Sequence, residues 1–312
     1  MSVEVRLVDA SATADVLEVI REAFSARPVL DPPADALSED EASVGAELAA
    51  YGGLLATLDG KPVGALLFDD SGPGVMLRRF GVVPAAQGHG VAARLVGAAE
   101  EYALGRGAEG VRVKARVELP ESIEFWRHHG YVPSGRVGVT LRLAKMFPRT
   151  LTLRGPDDAR AFGVALAGVL RRGDLVILSG DLGAGKTTLT KGIGAGLGVR
   201  EPVTSPTFVI ARVHTGGRLP LVHVDAYRLG GIDELDDLDL DTALDDAVTV
   251  VEWGEGVAEG LADERLELRL VRAVGLDAGS GEDDDPREVV IHPVGLRWLD
   301  AGLDRLLALD SL

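Results

Sequence analysis

A chain of 312 residues, 46% hydrophobic and 26% charged, is long enough for two independent cores and has the make-up of a globular protein. Its 32 basic and 49 acidic residues leave a net charge of −17, which excludes gripping nucleic acid chiefly by neutralising phosphates. The lack of cysteine excludes disulfides and thiolate metal sites. The start MSVEVRLVDA lacks the regions of a secretory signal, and no apolar run reaches about 18 residues, so a cytoplasmic protein without a membrane span is expected.

In the first half, residues 3–8 alternate as a strand. Residues 12–26 place Val16, Val19, Ile20 and Phe24 at helical spacing. Residues 27–41, with three prolines and several acids, read as a loop. A helix over 42–50 follows, then strands over 53–58 and 62–68 around Asp59-Gly60, and a strand over 75–83 ended by Pro84. Next comes Gln87-Gly88-His89-Gly90-Val91-Ala92, opening a helix over 92–106. Main-chain N–H groups gathered at a helix N-terminus suit a pyrophosphate. A strand over 111–117, a helix over 122–129 ending at Gly130, and a strand opening at Tyr131-Val132 complete this half.

The pattern Gln-x-x-Gly-x-Ala, after a strand ending Val82-Val83-Pro84, resembles the acetyl-CoA pyrophosphate loop of GCN5-related N-acetyltransferases, the GNAT family. Phe125-Trp126-Arg127-His128-His129-Gly130-Tyr131 is similar to that family's FYxxxGF segment. The resemblance covers about residues 3–143. It implies an acetyl-CoA site at Phe80, Gly81, Val82, Gly88, His89, Gly90, Val91, Ala92 and Ala93. Trp126 stands where the family often has a tyrosine that protonates the leaving thiolate, and Leu119 where an asparagine is common. Acetyl-CoA binding is therefore implied more firmly than catalysis, and a non-catalytic acetyl-CoA sensor is an alternative. The base for an acceptor amine stays open between Asp69, Asp70 and water. His89, His128 and His129 have no metal-ligand spacing. Residues 144–150 form the boundary, giving domains 1–146 and 147–312.

The second half opens with a strand over 150–153, then Asp157-Asp158 and a helix over 159–172. A buried strand over 175–179 runs into Gly180-x-x-x-x-Gly185-Lys186-Thr187, the Walker A pattern, and a helix over 186–197 ended by Gly198. The glycines let successive N–H groups face one anion-sized cavity at a helix N-terminus. In that pattern Lys186 bridges the outer phosphates and the Thr187 hydroxyl holds Mg²⁺. Thr204-Ser205-Pro206-Thr207 lies at the distance of a phosphate-sensing switch. Strands over 221–224 and 248–251 end in Asp225 and Glu252, both at the edge where parallel sheets bind ligands. Asp225 is also placed to cap the turn after its strand. The acidic, leucine-bearing stretch 233–246 reads as an amphipathic surface helix, with a docking surface as the alternative. Strands over 266–271 and 288–292 flank a loop rich in glycine and acids. Arg287 after that loop is expected to approach the phosphates, and a helix over 296–309 closes the chain.

GDLGAGKTTL, SPTF, HVDAYRL and VEWGE, in that order, resemble the TsaE family, the ATPase of bacterial tRNA threonylcarbamoyladenosine synthesis. The resemblance covers about residues 150–312. It implies that Leu182, Gly183, Ala184, Gly185, Lys186, Thr187 and Thr188 wrap the phosphates of ATP, that Thr187 and Glu252 hold Mg²⁺, and that Lys186, Asp225 and Glu252 are catalytic. It places Thr207 in the switch and Asp158 near the nucleotide. Gly254 stands where the family usually has proline. It further implies partner subunits of the TsaD and TsaB type, which carry the tRNA. The chain contains no asparagine, so no guanine-reading Asn-Lys-x-Asp exists and ATP is favoured over GTP. The expected fold is α/β throughout: a GNAT-like mixed-sheet domain and a P-loop NTPase domain. A P-loop kinase of small molecules is the alternative function.

Overall fold

The computed structural model describes residues 2–72, 74–206, 210–229, 245–272, 286–299, 301–303 and 306. The chain divides into two compact units, Met1–Lys145 and Met146–Leu312, and contains two seven-stranded sheets.

The first unit runs β1 (Val3–Val8), α1 (Thr13–Ser25), α2 (Glu41–Tyr51), β2 (Gly53–Leu58), β3 (Lys61–Asp69), β4 (Val75–Val82), α3 (Val91–Gly105), β5 (Gly110–Arg116), α4 (Pro120–His128), β6 (Val132–Val137) and β7 (Thr140–Met146). The sheet order is β1-β2-β3-β4-β5-β7-β6. β1 to β4 are antiparallel neighbours, whereas β4 and β5 run parallel. Their ladder joins only Val75, Met76 and Leu77 to Val111, Arg112 and Val113, and the strands part beyond. The cause lies in β4. Its register against β3 slips between Gly81 and Arg78, and Arg79 takes φ +54°. Such a bulge bends a strand away from its neighbour. α1 buries Val16, Leu17, Val19 and Ile20. It crosses β4 closely, since a Cβ on Gly81 would lie 2.9 Å from Ala23 Cβ.

The second unit runs β8 (Arg149–Leu153), α5 (Pro156–Ala167), β9 (Leu175–Ser179), α6 (Lys186–Leu197), β10 (Ala211–His214), β11 (Leu221–Asp225), β12 (Val248–Glu252), β13 (Arg265–Arg272) and β14 (Arg287–Val294). The order is β10-β11-β12-β9-β13-β14-β8. The central four, β11-β12-β9-β13, are parallel, and the outer pairings are antiparallel. The central strands LVILS, LVHVD and VTVVE are nearly continuous apolar runs, as expected where both sheet faces are covered. In β9, Val176 and Leu178 join Phe162, Leu189 and Ile193 in one core, while Leu175 and Ile177 join Val222, Val224 and Val251 in another.

Three features differ from the sequence expectation. α5 stops at Ala167 rather than at residue 172. β10 is an additional edge strand. The closing helix expected over 296–309 begins as a single 3₁₀ turn, Leu296–Trp298, and residues 300, 304–305 and 307–312 lie outside the described residues. Most of the acidic stretch 233–246 also lies outside them. Among the described residues, no helix is long and apolar enough to cross a membrane.

Candidate functional site

The loop between β9 and α6 is shaped by three glycines with positive φ: Gly180 at +127°, Gly183 at +79° and Gly185 at +106°. At Gly180 a side chain is also sterically impossible, because its Cβ would sit 2.2 Å from the Leu270 carbonyl oxygen. Gly185 is the N-cap of α6 and no side chain caps it. The N–H groups of Gly185, Lys186, Thr187 and Thr188 therefore have no intrahelical acceptor. With the helix dipole behind them they form an anion cradle. Leu182 projects outward, 89% exposed. The Ala184 methyl is buried in the core, and its N–H donates to Asp181 O at 3.1 Å.

The Lys186 ammonium lies 3.5 Å from the Trp253 ring centroid and donates to Gly180 O at 2.6 Å and Asp181 O at 2.9 Å. Burial pushes its pKa below the ordinary lysine value, opposed by the charges of Glu252, Asp225 and Asp181. β11 and β12 bring Asp225 and Glu252 side by side, as Cα partners at the strand ends. Glu252 is 2% exposed and fully engaged. Its Oε2 accepts from Thr187 Oγ1 at 2.8 Å, and its Oε1 accepts from Thr190 Oγ1 at 3.2 Å and His223 Nε2 at 2.8 Å. Asp225 accepts from Tyr227 N at 3.1 Å and from Ser205 Oγ at 3.2 Å, so it does cap its turn while facing the Thr204-Ser205-Pro206 stretch. Arg287 Nη2 reaches Gly183 O at 3.5 Å, which brings a cation to the loop. The hydroxyl of Thr187 and the carboxylate of Glu252 are hard oxygen donors, the kind Mg²⁺ takes.

Asp158 and Thr207 were also expected at the nucleotide site. Asp158 is exposed, and its Oδ2 accepts the Arg154 N–H at 2.9 Å, serving the start of α5. Thr207 lies outside the described residues. Thr190 and His223 were not read from the sequence as site residues, although signals existed. Thr190 follows Thr187 by three positions, on the same helix face, and His223 precedes Asp225 by two, on the same strand face.

In the first unit, Gly90 caps α3 with φ +75°, Gly88 has φ +78°, and no side chain caps the helix. The N–H groups of Gly90, Val91, Ala92 and Ala93 form a second cradle without intrahelical acceptors. A Cβ at Gly88 or Gly90 would meet nothing within 4 Å, so backbone conformation rather than crowding demands glycine there. His89 is exposed, its Nδ1 3.0 Å from Gln87 O. Phe80, Gly81 and Val82 end β4 where it has parted from β5. The Phe80 ring packs 4.9 Å from Trp126, which is 3% exposed within an aromatic cluster. Of the two candidate bases, Asp70 is paired with Arg106 at 2.9 Å. Asp69 lines a cavity beside the parted strands, and two hydrogen bonds from Ser71 hold its carboxyl below the ordinary range.

The family model described as Threonylcarbamoyl adenosine biosynthesis protein TsaE matches residues 153–276. The tRNA threonylcarbamoyladenosine biosynthesis protein TsaE of Streptomyces coelicolor is 60% identical over 150 residues, covering 47% of this chain and 98% of that relative. The chain belongs to the TsaE family. The TsaE of Bacillus subtilis is 41% identical over 144 residues, covering 46% of this chain and 84% of the relative. The TsaE match takes in the β9–α6 loop, Asp225 and Glu252. A second family model, described as Acetyltransferase (GNAT) family, matches residues 14–131, so the TsaE unit is preceded by a GNAT domain. The crystal structure of PaiA N-acetyltransferase from Thermoplasma acidophilum in complex with coenzyme A is similar to 47% of this chain and 100% of its own length, with TM-score 0.43 and 16% identity.

Proposed function

We propose that the second unit is a Mg²⁺-dependent ATPase serving tRNA N6-threonylcarbamoyladenosine formation at position 37, working with TsaD- and TsaB-type subunits that carry the tRNA. The observation that carries this reading is the bonding of Glu252 to Thr187 at the mouth of the glycine cradle. A bound Mg²⁺ neutralises phosphate charge and orients the phosphates for attack. Thr187 and Glu252 would hold it. The α6 amides receive phosphate oxygens, and Lys186 exchanges its two carbonyl partners for them. Asp225, beside Glu252 on the next strand, is positioned to orient the attacking water. The tRNA role is supported by the Streptomyces coelicolor and Bacillus subtilis relatives, both tRNA threonylcarbamoyladenosine biosynthesis proteins. Lys186→Ala is expected to lower ATP hydrolysis by about a hundredfold or more, measured as phosphate release. Full activity in that variant, or phosphate transfer to a small molecule instead of water, would refute the reading. Affinity capture with and without ATP should retain TsaD- and TsaB-type subunits.

We propose in addition that the first unit binds acetyl-CoA, its pyrophosphate at the Gly88–Ala93 cradle and its thioester between the parted β4 and β5. The parting of those strands is what favours this reading. Titration calorimetry with CoA tests it, and absence of binding at millimolar CoA would remove it.

A further inference from the structure

We propose that the cavity of the first unit takes an acceptor amine that also carries an anionic group, a carboxylate or a phosphate. The inference rests on the acetyl-CoA reading of the same unit. The cavity measures ≈ 690 Å³, within the range of about 300–1,000 Å³ usual for small-ligand sites, and opens where β4 and β5 part, beside residues 30–36. Among the described residues, only two carboxylates line it, Asp35 and Asp69, while arginine and lysine dominate the wall.

Some of those cations are already paired. Arg78 meets Glu47 at 2.8 Å, Arg79 Nε meets Glu39 at 2.6 Å, and Arg116 meets Glu118 at 2.7 Å. Arg116 also donates to Pro32 O at 2.8 Å, which ties the loop across the cavity. With these pairs cancelled, Arg27, Lys114 and Arg142 still outnumber Asp35 and Asp69 on the wall. Arg27 is held by neutral groups, the Phe80 carbonyl at 2.9 Å and the Phe24 ring at 3.7 Å. Lys114 and Arg142 are exposed at the mouth. The wall is therefore net positive in a chain whose net charge is −17. A recess lined by one sign of charge concentrates ligands of the other sign.

Two consequences follow. A polyamine or simple cationic amine is repelled, whereas a carboxylate or phosphate on the same molecule draws the amine in. The positive surroundings also disfavour the ammonium form of the acceptor, so its neutral, nucleophilic amine is populated more readily. That offsets the weak basicity of Asp69. The amine nitrogen then bonds to the acetyl carbon as the C–S bond breaks, and the proton lost from nitrogen neutralises the departing thiolate.

The test is titration calorimetry on the full chain saturated with CoA. L-glutamate and O-phospho-L-serine are the anionic probes, one for each anion source; tyramine and spermidine are the cationic ones. At least one anionic probe should bind ten times more tightly than either cationic probe. The K114E/R142E double variant should weaken that binding tenfold or more, and CoA binding by the variant shows that the unit has folded. Spermidine or tyramine binding as tightly as the anions, or neither anion binding to the CoA-loaded chain, would overturn the proposal. Failure of CoA itself to bind would instead overturn the acetyl-CoA reading beneath it.

Discussion

Glu252 takes three donors from two elements: Thr187 and Thr190 of α6 and His223 of β11. The His223 bond holds Oε1 away from the cradle, so Oε2 is the oxygen turned to Thr187. His223 is thus a positioning residue. His223→Ala is expected to cut ATP turnover by about 10–100-fold and raise the Mg²⁺ concentration for half-maximal rate, as losses behind a metal ligand do. His223→Gln, which keeps a donor, should recover part of both. A loss of melting temperature with unchanged Mg²⁺ dependence would assign His223 a merely structural role. Its neighbour His214 is fully buried, with neither ring nitrogen hydrogen-bonded. Burial, and then the proximity of His223 and Arg212, push its pKa down, opposed by Glu201. In the pH range below the ordinary histidine value of about 6.5, the unfolded chain takes up a proton that the folded chain refuses. Stability is therefore retained above that value and lost as pH falls. Urea unfolding at pH 7.5 and 5.5 should show the second unit weaker in acid, and His214→Leu should narrow the difference.

At the scale of elements, α5 and α6 meet through glycine. A Cβ on Gly192 would lie 2.3 Å from Arg160 O, and one on Gly163 would lie 2.5 Å from Leu189 O. Gly192→Ala must push the helices apart and should cost about 1–3 kcal/mol, read as a lower melting temperature of the second unit. Gly97→Ala in α3 is the control. It meets nothing within 4 Å, and helix propensity predicts a gain of about 0.5–1 kcal/mol. Both ends of α6 were legible because glycines mark them, Gly185 before and Gly198 after. The parallel strands were legible as unbroken apolar runs. The end of α5 was not, because Val169 and Leu170 continue the apolar spacing. What stops the helix comes from far along the chain: Arg218 takes the carbonyls of Ala167 and Leu170, and Arg297 takes that of Val169. β10 was missed because Ala-Arg-Val-His is short and exists by pairing with β11. In the site, motif spacing singled out Lys186, Thr187 and the two acids as candidates, and the structure places Thr187 against Glu252 and Asp225 beside it. It passed over His223 and Thr190, which both bond to Glu252, and it did not show that Ala184 of the same loop buries its methyl in the core.

The whole molecule joins a TsaE unit, matched along nearly the full length of its Streptomyces relative, to a GNAT domain whose sheet shares no strand with it. Each sheet has its own hydrogen-bonded ladder, so each unit is expected to melt as its own cooperative transition. A ligand stabilises only the state that binds it, by about 2.7 kcal/mol at a hundred times its Kd. For a unit of about 150 residues that corresponds to a rise on the order of 5–10 °C. Calorimetry should therefore show Mg·ATP raising one transition and CoA raising the other. Lys186→Ala should abolish the first shift and keep the second, which also shows that the variant chain is folded. If either ligand moved both transitions by the same amount, the units would be energetically coupled and acyl-group supply would be linked to the ATPase. If each ligand moves its own transition alone, the fusion holds two chemistries on one chain without thermodynamic communication between them.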